Sequence, residues 1–150
     1  MIIAFDEYQI DDDASRIDRD AAWAFLSTEA YWNADRVRAE FDTQVAVAWR
    51  VVGAYESRTG RMVGFARAIS DGCRFAYLAD VFVLPEARGR GLGVAVVTAM
   101  IDGGPGAAFR WSLHTADAHG LYERLGFSKP DHMYLERPRG YGVDGAANAH

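Results

Sequence analysis

Hydrophobic and polar positions change period twice along the chain. Residues 2–9 are rich in β-formers and predict a first strand, followed by the acidic turn Asp11-Asp12-Asp13. Asp18 caps a helical pattern over 19–27, in which Ala22, Phe25 and Leu26 share one face. Tyr31-Trp32-Asn33-Ala34-Asp35 breaks that pattern, and 35–41 predicts a second short helix. From Val45 the period falls to two. Val45, Val47 and Trp49 alternate with Ala46, Ala48 and Arg50, and the strand continues through 51–55. The turn Ser57-Arg58-Thr59-Gly60 joins it to a strand over 62–69, and Asp71-Gly72 leads to a third strand over 75–84. Residues 92–101 are apolar nearly all round and predict a helix covered on both sides. A strand over 107–114, a helix over 117–125 and a last strand over 133–137 complete the pattern. Antiparallel strands followed by strand–helix–strand–helix–strand predict an α/β domain with a mixed sheet, mostly antiparallel and flanked by helices.

Composition narrows the class. At 150 residues the chain suits one domain, placed at 1–139, with a Gly/Ala-rich tail over 140–150 expected to fray. Half the residues are apolar, which supports a buried core without disulfide or metal. The charge sum is 16 − 21 = −5, against nucleic-acid binding and weakly in favour of cationic small substrates. The single Cys73 excludes an internal disulfide. The apolar run at 92–101 is ten residues, where a membrane span needs about 20. The N-terminus has neither a basic start nor a signal-like apolar stretch. A soluble cytoplasmic protein is expected.

The strongest local signal is Leu84-Pro85-Glu86-Ala87-Arg88-Gly89-Arg90-Gly91-Leu92-Gly93. A buried strand runs into alternating glycines and two arginines, and a helix begins. Glycines permit positive φ and close approach of a ligand. The unpaired N–H groups of the helix start attract an anion, and arginines suit phosphate oxygens. A pyrophosphate cradle is the expectation. A dinucleotide fingerprint needs glycine where Val94 stands, and a P-loop needs Gly-Lys-Ser/Thr; both fail.

The turn resembles that of the GNAT superfamily of acyl-CoA N-acetyltransferases, whose pattern Arg/Gln-x-x-Gly-x-Gly/Ala is matched by Arg88-Gly89-Arg90-Gly91-Leu92-Gly93. A second signature, L-Y-x-x-x-G-F, is matched by Leu121-Tyr122-Glu123-Arg124-Leu125-Gly126-Phe127. The resemblance implies that Arg88 to Val94 bind the pyrophosphate of acetyl-CoA, a co-substrate, and that the backbone of Val81, Phe82 and Val83 holds its pantetheine arm. It also implies Tyr122 as the proton donor facing the thioester sulfur. Periodicity alone leaves Tyr122 open to a packing role on an amphipathic helix.

N-acetylation needs a neutral amine, yet an alkylammonium is only about 1 part in 10³ deprotonated at pH 7. A base or a water chain is therefore required. Asp80 interrupts the apolar strand Tyr77-Leu78-Ala79-Asp80-Val81-Phe82-Val83 and must be paired or wet. It is the candidate base or ammonium contact; a structural Asp at a bulge is the alternative. This strand is similar to the Y-L-E-D-F-F-V strand of polyamine acetyltransferases, but the glutamate that acts there as a water-linked base is Ala79 here. His114 is a reserve base. Tyr31, Trp32 and Arg36 lie in the region that covers the acceptor site in the resembled family, where cation–π contact with an amine is available. His114, Asp117 and His119 match no ligand spacing, so no metal is expected.

The expected activity is transfer of acetyl from acetyl-CoA to a primary amine of a small molecule, by direct attack in a ternary complex. The alternatives are a non-catalytic acyl-CoA-binding domain and a peptide or protein N-acetyltransferase. No nucleic-acid or membrane partner is expected, and a homodimer is compatible with the resemblance.

Overall fold

The computed structural model describes residues 1–143. The expected tail over 140–150 therefore lies mostly outside the described residues. Six strands form one sheet in sequence order: β1 (Ile2–Phe5), β2 (Tyr8–Asp11), β3 (Arg50–Glu56), β4 (Met62–Ser70), β5 (Phe75–Val83) and β6 (Arg110–Ser112). Every neighbouring pair is antiparallel except β5 and β6, which run parallel. The helices are α1 (Arg19–Thr28), α2 (Arg38–Val47), α3 (Leu92–Ile101) and α4 (His119–Glu123).

The sheet separates two cores. On one face Val52, Ala54, Ala66, Ala68 and Leu78 pack against Leu92, Val96, Val97 and Met100 of α3. On the other, Val51, Tyr55, Phe65 and Phe82 pack against Ala22, Phe25 and Leu26 of α1 and Phe41 and Val45 of α2. The α1 stripe is the one read from periodicity, and the Asp18 carboxylate accepts from Ala21 N at 3.0 Å. Burial of α3 from both sides follows from its apolar circumference: it lies on the sheet and is roofed by Leu121 and Leu125 near α4.

Several sequence expectations are corrected. Residues 2–9 are a hairpin rather than one strand, because Asp6 takes φ +50° and folds the chain so that Phe5 pairs with Tyr8. Val45 and Val47 belong to α2, not to a strand. The spacing of Phe41 and Val45, both buried, is helical, while Val47 is 75 % exposed. The second helix accordingly starts at Arg38 rather than residue 35, with Glu40 accepting from Val37 N at 2.9 Å. The strand over 107–114 shortens to Arg110–Ser112, and the helix over 117–125 to His119–Glu123. Residues 133–137 form no strand. Met133 and Leu135 are exposed, and β6 is the last strand of the sheet among the described residues.

The register slips once between β4 and β5. Phe65 pairs with Phe82 and Arg67 with Ala79, so one residue of β4 faces two of β5, Asp80 and Val81. Asp80 adopts φ +55° to absorb the extra residue. Leu78 faces the α3 core before the bulge, Val81 and Val83 face it after, and Asp80 is turned toward Trp32 and Arg36, in the segment between α1 and α2. Among the described residues no helix is long and apolar enough to cross a membrane.

Candidate active site

Strand β5 is paired on both edges only at its start. Phe75, Ala76 and Tyr77 face Arg110, Trp111 and Ser112 of β6; from Leu78 to Val83 only the β4 edge is paired. The unpaired stretch borders a cleft of about 500 Å³ that reaches from Asp80 and Val81 to Tyr122. Backbone groups on that edge are free to bind an extended ligand as an added strand.

The glycine-rich turn stands at the end of this edge. Gly89 has φ +82° and Gly91 φ +79°, conformations costly for any residue with a side chain. Gly91 is the N-cap of α3 and offers no side-chain acceptor, so the first amides of α3 are open to an anion. Arg88 Nε donates to Val83 O at 2.9 Å and ties the turn to the strand. Arg90 donates to Glu7 and to Tyr8 Oη, reaching back to the first hairpin. Leu92 is buried and anchors the helix, while Gly93 and Val94 are half-buried. A Cβ on Gly93 would touch Val83 and Leu121 at 3.8 and 3.9 Å, so the helix packs closely on the strand end here. The Phe82 side chain turns away into the opposite core and stacks on Phe25. These features fit the pyrophosphate and pantetheine of acetyl-CoA: open amides, two arginines and an unpaired strand edge in sequence.

Asp80 is buried, and four donors converge on it. Arg36 donates from Nη1 to Oδ2 and from Nη2 to Oδ1, both at 2.9 Å. Arg67 Nε donates to Oδ2 at 2.6 Å, and Trp32 Nε1 to Oδ1 at 3.1 Å. A carboxylate has about four lone-pair sites, and all are used. Burial alone would raise its pKa, but the hydrogen bonds and charge of Arg36 and Arg67 outweigh it and hold the group below the usual 3.8. This geometry works against the expected base or ammonium contact, because both oxygens are engaged and the ionised, paired form is favoured. Arg36 also donates to Asn33 Oδ1 and to Gln44 Oε1 of α2.

Tyr122 is buried at the cleft wall, edge-on to Phe127. Burial pushes its hydroxyl up to about 12, and among the described residues that hydroxyl has no hydrogen-bond partner. It stays protonated and available. Tyr31 and Trp32 line the same cleft at right angles to each other, both partly exposed. The Tyr31 hydroxyl accepts from Ala116 N at 2.8 Å.

Tyr77, Glu136 and Arg67 were not read from sequence as site residues, whereas His114 was. Tyr77 Oη lies 2.8 Å from His114 Nδ1, and His114 Nε2 lies 2.7 Å from Glu136, a chain leading from the cleft to solvent. Arg67, the third, had a legible signal. It is a lone Arg in the apolar run Met62 to Ile69, mirrored by the lone Asp80 one strand later. Among the described residues no group of three or more His, Cys, Asp or Glu is placed to hold a metal ion.

The comparisons agree with this architecture. Residues 43–129 match the family model described as Acetyltransferase (GNAT) domain. The crystal structure of a protein belonging to the GNAT family from Xanthomonas campestris pv. campestris shares 37 % identity, with TM-score 0.82, over 90 % of this chain and 95 % of that one. The Gibberella zeae protein named "Putative acetyltransferase FG08082" is 27 % identical over 91 % of this chain and 87 % of its own length. Glucosamine-6-phosphate N-acetyltransferase from Arabidopsis thaliana shares the fold at 17 % identity and TM-score 0.61, over 86 % of this chain and 97 % of that one. The chain belongs to the GNAT family of acetyltransferases.

Proposed function

We propose that this acetyltransferase moves an acetyl group from acetyl-CoA to the primary amine of a small molecule, with both substrates bound together. The reading is carried by one convergence. The unpaired edge of β5 and the free Tyr122 hydroxyl border one cleft, and the same strand runs on into the glycine-rich turn and the open N-terminus of α3. Arg139 and Asp35, an ion pair of 2.7 Å, both line the cleft, which at about 500 Å³ has room for a small acceptor.

The amine nitrogen forms a bond to the acyl carbon, the C–S bond breaks, and one proton must leave nitrogen while another reaches sulfur. Tyr122 Oη is the donor to sulfur. The other proton leaves through Tyr77: Tyr77 Oη takes it as its own hydroxyl proton passes to His114 Nδ1, and Glu136 balances the imidazolium. Asp80 holds Arg36, Arg67 and Trp32 in place beside the reacting groups and is a positioning residue. Tyr77→Phe is expected to lower kcat by about 10²-fold, the smaller end of general-base effects. Unchanged kcat would remove this path.

The test is release of CoA thiol from acetyl-CoA across a panel of polyamines, aminoglycosides, amino acids and short peptides. Acceptor-dependent release from a small amine is expected. Release only with peptides, or with none, overturns the reading. The nucleotide site is checked separately. Saturating CoA, at about 100 times its Kd, should stabilise the fold by about 2.7 kcal/mol. Gly91→Glu should abolish that shift, because its carboxylate would sit where phosphate belongs. The position has room for a Cβ, 3.7 Å from Phe5, so the variant folds at the cost of the positive φ alone. An unchanged shift would place the nucleotide elsewhere.

A further inference from the structure

Resting on the acceptor reading above, we infer that the acceptor amine also carries an oxyanion, a carboxylate or phosphate a few bonds away, and that Arg67 is its receptor. The Arg67 side chain is 7 % exposed. Its Nε is used by Asp80, yet among the described residues its two terminal amino groups have no acceptor. They are not sealed in protein either, for the guanidinium lines the cleft. A buried guanidinium with a free fork is costly to leave unmet, and its two parallel donors match a planar or tetrahedral oxyanion.

Charge points the same way. Two guanidinium groups, of Arg36 and Arg67, share one carboxylate, and Asn33 and Gln44, which complete Arg36, are neutral. The buried cluster therefore carries one excess positive charge. Of the acidic groups around the cleft, Asp35 is paired with Arg139, Glu40 caps α2, and Asp117 accepts from Thr115. Asp80 has no site left for an ammonium. Glu40 and Asp117 are exposed and bonded only to neutral donors, so they keep their charge at the rim, whereas the buried end beside Asp80 is cationic and matches an anionic group.

The experiment compares acceptor pairs that differ only in charge: alanine against alanine amide, phosphoethanolamine against ethanolamine, with spermidine as the polycation. In wild type the anionic member of at least one pair should have the higher kcat/KM, by about 10- to 10²-fold for a charge-assisted fork. The pair that responds identifies carboxylate or phosphate. Arg67→Lys keeps the charge but loses the fork, and should reduce that preference about tenfold. Arg67→Gln should abolish it. Calorimetry of N-acetylalanine against its amide, on CoA-bound protein, reads the same site without turnover. Equal rates within both pairs, or spermidine as the best acceptor, would overturn the inference and leave the acetyltransfer reading standing. If no amine releases thiol but wild type prefers N-acetylalanine over the amide and Arg67→Lys does not, the anion site stands and the acceptor reading falls. Should Arg67→Gln fail to fold, the wild-type pairs and Arg67→Lys decide.

Discussion

Asp80→Ala is expected to destabilise the fold by about 3–5 kcal/mol, the range for removing one partner of a buried ion pair. The carboxylate is the common acceptor of Arg36, Arg67 and Trp32, and both arginines are largely buried. Its loss leaves two guanidinium groups facing each other with no counter-charge. That is a large share of the roughly 5–15 kcal/mol available to a domain of this size. Alanine also inherits φ +55°, which adds about 1–2 kcal/mol of backbone strain. Asp80→Asn separates the two contributions, because asparagine accepts that backbone region readily but brings no charge. The order of denaturation midpoints should be wild type, then Asn, then Ala. The sign with pH is fixed by the depressed native pKa. The contribution of Asp80 is fully present above the usual 3.8 and is lost as pH falls through the lower native value. The gap between wild type and Asp80→Asn should therefore hold from neutrality down to about pH 3.8 and shrink below it. A gap that closes near neutrality, or Asp80→Asn as stable as wild type, would deny the carboxylate its clamping role. A retained wild-type stability with a lost acidic limb in kcat would instead restore it as the base.

What the sequence revealed was local. The turn from Arg88 to Gly93 declares itself because glycine spacing, arginines and the start of an apolar helix lie within a few residues. The stripe of α1 declares itself for the same reason, whereas the turn after Phe5 was missed, because Asp6-Glu7 is a short polar interruption in a run read as one strand. Where two periods compete over a few residues, packing decides. Val45 and Val47 alternate as a strand would, but Phe41 and Val45 are one helical turn apart and both bury against Phe65 and its neighbours. The interior of the site was hidden for another reason. Asp80 meets Arg67 across a strand pair, and Arg36 and Trp32 across 44 and 48 residues of chain. No periodicity reports contacts at that separation. Even so, a lone carboxylate and a lone guanidinium in adjacent apolar strands are a legible pair. Reading Asp80 alone suggested an ammonium contact; reading it with Arg67 and Arg36 shows a carboxylate engaged by two guanidinium groups. The face of Asp80 depended on a bulge, and the shift from Phe65–Phe82 to Arg67–Ala79 supplies it.

Tyr122→Phe is expected to lower kcat by about 10²–10⁴-fold, the span of a positioned general acid, with little change in the dissociation constant for acetyl-CoA. The hydroxyl has no protein partner among the described residues, so removing it breaks no ground-state hydrogen bond within the chain. The ring keeps its packing against Phe127, and the fold should lose little. What disappears is a proton available at the moment the C–S bond breaks, an interaction made only in the transition state. The raised pKa matters to the pH profile. An ordinary tyrosine would ionise near 10, but burial moves Tyr122 to about 12, so kcat should show no falling limb at 10 from this residue. A poorer leaving group sharpens the test: acceptor turnover with a thioester of a high-pKa thiol should suffer more in Tyr122→Phe than turnover with an activated thioester of a low-pKa thiol, because a good leaving group departs without a proton. Equal losses for the two thioesters, or a loss confined to acetyl-CoA affinity, would make Tyr122 a wall of the cleft and not a participant in the chemistry.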